Sequence, residues 1–370
     1  MKKICLSVNS AWNVVNFRSG LIKSFLKEGY EVVVIAPSDE YREQIIELGC
    51  SYVDVPMDQQ GMSIWNDFKT FLAFFSALRR ERPDVFLGYT VKPNVYGSLA
   101  AQLLGIPVVN NVAGLGTAFL KGGLLARFVK GLYALAFRRS ATVFFQNDDD
   151  ERLFVEAKLV RGGQASLLPG SGVDLLKYKK SIYEPRAAEN TQFLFVGRIL
   201  RDKGVCELIE ATKEVKLQYP NVEVKLLGAT NVTNRSAISS EEVEEWEGKG
   251  IVSYLGVTDD VLPAILNADC VVLPSYREGT PRVLLEAGAL SRPLIATDVP
   301  GCRQVVDDGL NGYLCKPRDA TSLARKMIKM IELPSEVKIE MSAICREKIE
   351  SEYDENIVIN SYLKEIDAIV

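Results

Sequence analysis

The sequence predicts an α/β protein built from two doubly wound domains, each with its own parallel sheet. Short apolar runs alternate with longer stretches whose apolar residues recur at helical spacing, which is the pattern of repeated strand–helix–strand units. The alternation runs through the first part of the chain and begins again after about residue 190. A length of 370 residues also fits two domains of ordinary size.

Buried parallel strands read as near-continuous apolar runs, because helices cover both faces of such a sheet. The predicted strands of the first domain are residues 4–8, 31–36, 84–88, 107–112 and 142–146. Those of the second domain are residues 192–197, 222–227, 251–255, 270–274, 293–297 and 312–314. Helical patterns fill the intervals between them.

The predicted join lies at Pro169–Asp174, where three small residues suit a hinge. We expect an N-terminal domain of residues 1–172, a C-terminal domain of residues 173–352, and a last helix within 353–370 that packs back onto the first domain. Ligands of open α/β sheets bind at the carboxyl ends of the strands. Two such domains facing each other therefore predict a ligand cleft lined by segments that follow strands.

Composition narrows the classes of function. The net charge of -4 gives no reason to expect nucleic acid as a partner. The chain contains no histidine, which excludes histidine acid–base catalysis, Ser-His-Asp triads and histidine metal sites. Seven cysteines without a CxxC spacing indicate reduced core residues of a cytosolic protein. The first residues predict a strand rather than an export signal, and the uncharged stretch 93–120 predicts buried structure rather than a membrane span.

The segment from Pro274 to Leu290 carries a first candidate site. Thr280 and Pro281 predict the N-cap and first residue of a helix, which places Glu278 before the helix and Glu286 in its second turn. The helix N-terminus suits a diphosphate. Glu286 could accept ribose hydroxyls and Glu278 hydroxyls of a sugar, although two glutamates at this spacing are also common as solvated side chains.

A second segment, Gly197–Gly204, follows a predicted strand and opens a helix. Arg198 and Lys203 lie on this loop, and both could reach a pyrophosphate and stabilise a departing nucleoside diphosphate. A lone pair of cations would more often be solvated. This segment together with Glu278 and Glu286 favours a binding site for a nucleotide-sugar donor.

In this order and spacing, the two segments resemble the retaining glycosyltransferases of the GT-B fold, family GT4, over nearly the whole chain. The resemblance implies that Arg198 and Lys203 contact the donor diphosphate, Glu278 the donor sugar and Glu286 the ribose. It also implies donor contacts for Gly197, Gly256, Val257, Gly279, Thr280 and Pro281. Arg198, Lys203 and Glu278 are the expected catalytic residues. The implied co-substrate is a UDP-sugar, with UDP-N-acetylhexosamine favoured, and no cofactor or metal.

Candidate acceptor residues follow strands of the first domain, namely Asn16, Arg18, Lys92, Asn94, Asn111 and Gly114. These segments resemble GT4 enzymes of bacterial surface polysaccharides, including those acting on undecaprenyl-diphosphate sugars. Arg18 could hold an acceptor phosphate, because the glycine-rich loop often found after the first strand is absent here. A surface arginine at a helix start is an equally open interpretation.

Residues 120–139 contain five basic residues, no acid and interleaved apolar residues, a pattern that suits an anionic membrane surface. The predicted membrane contacts are Lys121, Leu124, Leu125, Arg127, Phe128 and Lys130. The expected location is therefore peripheral, on the cytoplasmic face of the cell membrane. The aromatic stretch Ile64–Arg82, which has a basic end, could contribute to this membrane contact, but packing in the core is the favoured interpretation.

Asp148–Asp150 contains the DxD pattern by which another glycosyltransferase fold holds a metal. Acids are common in the first turn of a helix, and we interpret them so. Two alternatives to a glycosyltransferase stay open. One is a UDP-sugar 2-epimerase of the GT-B fold, which the lack of histidine disfavours, and the other is a non-catalytic nucleotide-sugar-binding subunit.

Overall fold

A computed structural model of the chain describes residues 2–58, 63–114 and 124–370. The chain forms two compact units, residues 1–171 with 355–370, and residues 172–354. Each unit contains one parallel sheet covered by helices, so the predicted class of two doubly wound α/β domains is confirmed. No helix within the described ranges has the length and apolar character needed to cross a bilayer.

The N-terminal unit contains a seven-stranded sheet in the order β3-β2-β1-β4-β5-β6-β7. Its strands are β1 Lys3–Ser7, β2 Glu31–Ala36, β3 Ser51–Asp54, β4 Val85–Tyr89, β5 Val108–Val112, β6 Thr142–Phe145 and β7 Ala165–Leu167. Its helices are α1 Ala11–Lys27, α2 Arg42–Glu47, α3 Ile64–Glu81, α4 Ser98–Leu103, α5 Leu124–Phe137 and α6 Asp148–Glu156. The C-terminal helix, Glu355–Ile369, packs against α1. The edge strands β3 and β7 were not predicted, because they are short and only partly buried.

Alternate strand residues show which helices share a face of this sheet. Leu6 and Val34 pack with α1, α2 and the C-terminal helix. Cys5 and Val33, one position earlier on the same strands, pack with α3 and α4. The next core cluster joins α5 and α6 to the same side of β5 and β6. Successive right-handed crossovers in one direction produce this arrangement, so α3, α4 and α5 lie together on one face.

Helix α3 does not pack as predicted. Its inner face is buried through Phe74 and Leu78, but Trp65, Phe68 and Leu72 are 66%, 49% and 47% exposed. The favoured interpretation of this aromatic stretch as core is therefore wrong for its outer face. An 18-residue helix on a sheet buries one stripe, and these three residues recur at helical spacing on the opposite stripe.

The C-terminal unit contains a six-stranded sheet in the order β10-β9-β8-β11-β12-β13. Its strands are β8 Gln192–Val196, β9 Glu223–Leu227, β10 Ser253–Tyr254, β11 Cys270–Leu273, β12 Leu294–Thr297 and β13 Gly312–Cys315. Its helices are α7 Val205–Lys216, α8 Ser240–Gly248, α9 Leu262–Leu266, α10 Arg282–Ala289, α11 Cys302–Val305, α12 Ala320–Glu332 and α13 Ser335–Glu352. All seven cysteines of the chain are unpaired, and six of them are buried.

The strand order of each sheet reverses once. In the N-terminal sheet the reversal lies between β1 and β4, and in the C-terminal sheet between β8 and β11. The loops that leave two such strands diverge and open a crevice, where α/β proteins bind their ligands. We therefore expect ligands to bind at these two strand ends.

Candidate functional site

The two segments singled out in the sequence, residues 197–204 and 274–286, meet at the reversal point of the C-terminal sheet. The first follows β8, the second follows β11, and these strands pair directly. Gly197 leaves β8 with φ 153°, a conformation open mainly to glycine. The backbone N–H of Tyr276 then donates to the carbonyl oxygen of Asp202 across 3.0 Å, which ties the two loops together.

Two glycines allow close backbone packing around these loops. A Cβ atom on Gly204 would lie 2.0 Å from the carbonyl oxygen of Pro274, so only glycine lets α7 begin against the end of β11. A Cβ on Gly301 would lie 1.8 Å from the carbonyl oxygen of Gly279 and 3.0 Å from that of Glu278. The position of the Glu278 loop therefore depends on the missing side chain of Gly301.

An ion pair joins the two loops at their centre. Lys203 Nζ lies 2.5 Å from Glu278 Oε1, and the two side chains are only 25% and 12% exposed. Partial burial weakens solvent screening, so this pair is stronger than a surface pair. Arg198, on the same loop as Lys203, is exposed and forms no ion pair with any described residue. An anion that bound here would meet one unpaired cation and would compete with Glu278 for the other.

Glu286 lies in the second turn of α10 and is 8% exposed. Its Oε1 accepts two hydrogen bonds of 3.0 Å, from the Tyr178 hydroxyl and from Arg282 Nε. Burial raises the pKa of Glu286, while the positive charge of Arg282 and both hydrogen bonds oppose that rise. Because both bonds fall on Oε1, the second carboxylate oxygen is left to accept hydroxyl groups of a ligand.

The start of α10 differs by one residue from the prediction. The helix begins at Arg282, and Pro281 is its N-cap residue with an extended backbone, φ -73° and ψ 111°. Thr280 is therefore not the N-cap, and Pro281 is not the first helical residue. Proline φ is compatible with both positions, and here ψ decides between them. The N–H groups of the first turn still lie at the end of the helix that follows the Glu278–Gly279 loop.

Gly256 and Val257 follow β10 on the other side of β9. The carbonyl oxygen of Gly256 accepts from the N–H of Gly228, which follows β9, across 2.8 Å. Val257 is 68% exposed. These residues lie at the same carboxyl edge of the sheet as Arg198, as their predicted donor contact requires.

Arg18 lies in the middle of α1 and is only 7% exposed, so it is neither at the helix start nor on the surface. Its Cζ lies 4.4 Å from the centre of the Tyr89 ring at the end of β4, and Nη1 donates to the carbonyl oxygen of Phe17. Nε has no hydrogen-bond partner, and no described carboxylate pairs with the guanidinium. Arg18 also lines a small cavity together with Glu355 and Tyr362.

Two predicted acceptor residues, Asn94 and Asn111, belong to a buried hydrogen-bond network. Asn94 and Asn111 are each 1% exposed. Asn94 donates to the carbonyl oxygen of Asn111 and accepts from Asn110, at 2.8 and 2.9 Å. The Asn111 side chain donates to the Tyr362 hydroxyl and accepts from Gln146. These buried and paired amides hold β5 to its neighbours. Their expected role toward an acceptor stays a prediction, and Asn111 also lines the cavity beside Arg18.

The other three predicted acceptor residues, Lys92, Asn16 and Gly114, differ in their burial and in their bonding partners. Lys92 forms an ion pair of 2.7 Å with Asp67 of α3, and both side chains are about 15% exposed, so its charge is already neutralised. Asn16 is half-buried in α1, and its side-chain nitrogen donates to the carbonyl oxygen of Trp12. Gly114 adopts φ 138° at the end of the described segment that follows β5.

The predicted membrane contacts are described only in part. Lys121 and the side chains of Leu124 and Leu125 lie outside the described residues. Arg127 is exposed, Phe128 is 54% exposed and Lys130 is half-buried.

The Asp148–Asp150 run forms the first turn of α6, as predicted. Asn147 is the N-cap, and its side chain accepts from the backbone N–H of Asp150 across 2.8 Å. Among the residues that the structure describes, no cluster of acidic or cysteine side chains has the arrangement of a metal site.

The sequence did not reveal three residues that position the site. Tyr178 donates a hydrogen bond to Glu286 from 108 residues away, and no local sequence pattern indicates a contact at that separation. Arg282 lies four residues before Glu286 on the helix, and this spacing alone could have suggested the pair. Gly301 comes after β12 in the pair Pro300-Gly301, which is also typical of an ordinary turn, so its contact with the Glu278 loop was not apparent from the sequence.

Comparison with known families covers both units. The model of the glycosyl transferase 4-like domain matches residues 16–170, and the model of glycosyl transferases group 1 matches residues 180–351. The chain is 26% identical to the N,N'-diacetylbacillosaminyl-diphospho-undecaprenol alpha-1,3-N-acetylgalactosaminyltransferase of Campylobacter jejuni, over 97% of this chain and 96% of that protein. It is also 26% identical to the UDP-Gal:alpha-D-GlcNAc-diphosphoundecaprenol alpha-1,3-galactosyltransferase of Escherichia coli, over 80% and 78% of the two chains.

Among solved structures, Anabaena HepE in complex with UDP-glucose has a similar fold. Its TM-score is 0.79, with 18% identity, and each chain is covered completely. The predicted GT-B fold is therefore confirmed.

Proposed function

Because this chain belongs to the group 1 glycosyl transferases, we propose that it transfers a hexose or N-acetylhexosamine from a UDP-sugar to a lipid-diphosphate-linked saccharide. The names of the Campylobacter and Escherichia relatives describe transfer to diphospho-undecaprenol saccharides, which supports this acceptor class. UDP-N-acetylhexosamine is our favoured donor. The product would be a bacterial surface polysaccharide or a related glycan.

The Lys203–Glu278 ion pair at the β8/β11 reversal point carries the proposal for the donor. A donor diphosphate would take Lys203 from Glu278 and would also engage the unpaired Arg198 and the N–H groups at the start of α10. Glu278 would then be released to accept a hydroxyl of the sugar. Binding would exchange one ion pair for a set of new contacts, so part of the specificity would lie in breaking the resting pair.

Glu286 would hold the ribose. Its buried Oε1 is fixed by Tyr178 and Arg282, and Oε2 would accept the ribose hydroxyls. A carboxylate whose orientation is already fixed loses little entropy when the ligand binds. Gly256 and Val257 lie at the same edge of the sheet, where we propose that the uracil ring binds.

We propose transfer with retention of the anomeric configuration. The bond from the sugar C1 to the β-phosphate oxygen breaks, and the acceptor oxygen bonds C1 on the same face. The departing phosphate takes the acceptor proton, since no histidine exists to accept it. Arg198, Lys203 and the start of α10 would stabilise the negative charge that grows on the leaving UDP.

In the N-terminal unit, we propose that Arg18 binds an acceptor phosphate. A buried cation without a carboxylate partner is energetically unfavourable. Arg18 is such a cation, and it lies in the middle of α1 beside Tyr89, at the β1/β4 reversal point. An acceptor on a lipid carrier would also place the enzyme on the cytoplasmic face of the membrane.

A panel of UDP-sugars, each incubated with and without a lipid-diphosphate saccharide, tests the proposal. Sugar transfer would support it, whereas an epimerised UDP-sugar or binding without turnover would replace it with one of the two alternatives. Glu278→Ala and Lys203→Ala should each lower turnover by orders of magnitude. Lys213→Ala is the matched control, because that lysine forms an exposed ion pair with Glu210 on α7. Near-normal turnover in the Glu278 or Lys203 variant would refute the assigned site.

A further inference from the structure

The outer surface of α3, α4 and α5 carries large apolar side chains that the core does not use. They are Trp65, Phe68 and Leu72 on α3, Leu103 on α4, and Phe128 and Leu135 on α5, and their exposed fractions run from 47% to 70%. We name this surface the α3–α5 face. On soluble proteins a contiguous apolar surface of this kind usually marks a contact site.

The three helices present these residues in the same direction. The inner residues of α3 and α4 share one core cluster on the sheet, and those of α5 continue the cluster on the neighbouring strands. The outer stripes therefore face away from the same side of the sheet. On α3 the rings of Trp65 and Phe68 are stacked with centres 6.2 Å apart. On α5 the residues Phe128 and Leu135 are two turns apart on one stripe.

The charge on this face is of one sign. Its exposed charged residues are Lys69, Arg79, Arg80, Arg127, Arg138 and Arg139. Residues 85–147 contain no Asp or Glu, although the chain as a whole has a net charge of -4. The two acids of α3, Asp67 and Glu81, are half-buried and paired with Lys92 and Arg80. Exposed acids border this layer, at Asp58 and Asp84 on either side of α3 and at the edge formed by α6.

We propose that the α3–α5 face docks on an anionic membrane, with α3 lying in the plane of the interface. Apolar side chains would enter the boundary between headgroups and acyl chains, and the cations would contact anionic headgroups. At 18 residues α3 is about 27 Å long, enough to lie along the surface. This inference rests on the proposed function, in which the acceptor is anchored in a bilayer, and it extends the predicted contact from α5 to α3 and α4.

Sedimentation with vesicles tests the docking. The protein should bind phosphatidylcholine vesicles that contain phosphatidylglycerol, and should bind pure phosphatidylcholine weakly. The triple variant Trp65→Ser, Phe68→Ser, Leu72→Ser should reduce binding at least tenfold. Trp12→Ser is the matched control, because Trp12 is 42% exposed on α1, which covers the opposite face of the sheet. Replacing Arg79 and Arg80 with glutamine should lower binding about fivefold per charge.

The outcomes separate docking from transfer. Equal binding by the triple variant and Trp12→Ser, or no preference for phosphatidylglycerol, would overturn the inference. A dimer that forms without lipid and is lost in the triple variant would also overturn the inference, because the α3–α5 face would then bind a second copy of the chain. Transfer to a short-chain, water-soluble acceptor is measured in parallel. If transfer persists without vesicle binding, the docking inference fails alone. If vesicle binding persists without transfer to any acceptor, only the proposed function fails.

Discussion

Gly301→Ala should inactivate the proposed donor site without replacing any residue that is predicted to contact the donor. Gly301 has φ 82°, and the new Cβ would lie 1.8 Å from the carbonyl oxygen of Gly279. Ordinary contact begins at 3.4 Å, so the Glu278–Gly279 loop would have to move by about 1.6 Å, the difference between the two distances. Both clashing groups are backbone, and no side-chain rotation can relieve the clash.

A displacement of about 1 Å in a group that positions substrate costs about a hundredfold in rate. We therefore expect kcat/KM to fall at least about a hundredfold in Gly301→Ala. Alanine at positive φ should also lower the free energy of unfolding by about 1–2 kcal/mol. The second effect is separable from the first, because strain at φ 82° does not depend on the neighbouring loop.

Gly309→Ala is the matched control. Gly309 has φ 87°, and a Cβ there would meet no atom within 4 Å. Both variants should lose stability in urea unfolding, and Gly301→Ala should lose more because of its added backbone clash. Only Gly301→Ala should lose activity with the UDP-sugar that the panel identifies. Equal kcat/KM values in the two variants would show that the position of the Glu278 loop does not control transfer.

Burial raises the pKa of Glu286 above that of an ordinary glutamate. Donor affinity should therefore rise with pH as this carboxyl ionises. Glu286→Gln should flatten that rise in UDP titrations. An unchanged pH profile in the variant would assign the titration elsewhere. Arg18→Met should raise the KM for the acceptor at least tenfold with the donor KM unchanged. Its unfolding free energy should stay level or increase, because a buried unpaired charge is lost; an unaltered acceptor KM would refute phosphate binding. Asn110→Leu removes partners of Asn94 and Ser98, and should lower the free energy of unfolding by about 1–3 kcal/mol in urea, whereas an unchanged midpoint would contradict the structural role of the network.

The local patterns in the sequence predicted most of the architecture. Eleven strands were expected from apolar runs, and the two that were missed, β3 and β7, are short edge strands with partly exposed side chains. An edge strand needs little apolar sequence, since one neighbour supplies its hydrogen bonds. The two loops that we propose bind the donor were also predictable, because glycines, cations and glutamates follow strands within a few residues of one another.

Roles that depend on distant partners were not predictable. Asn94 and Asn111 follow or end strands, as ligand-binding residues do, yet both are buried and hydrogen-bonded. Lys92 had the same pattern and is neutralised by Asp67 of another helix. Residue type and spacing show what a side chain could bind, but not whether the fold has already supplied a partner.

The sequence by itself determined the two parallel sheets, the loops at their carboxyl edges and the absence of any histidine base. Each of these depends on short-range periodicity or on composition, which the chain carries in contiguous residues. Only the tertiary structure decided that Lys203 pairs with Glu278, that Arg18 has no acidic partner among the described residues, and that the aromatic stripe of α3 faces outward. These depend on burial and on contacts between residues far apart in the chain, and a buried charge or an exposed ring acquires its energetic meaning only from what surrounds it.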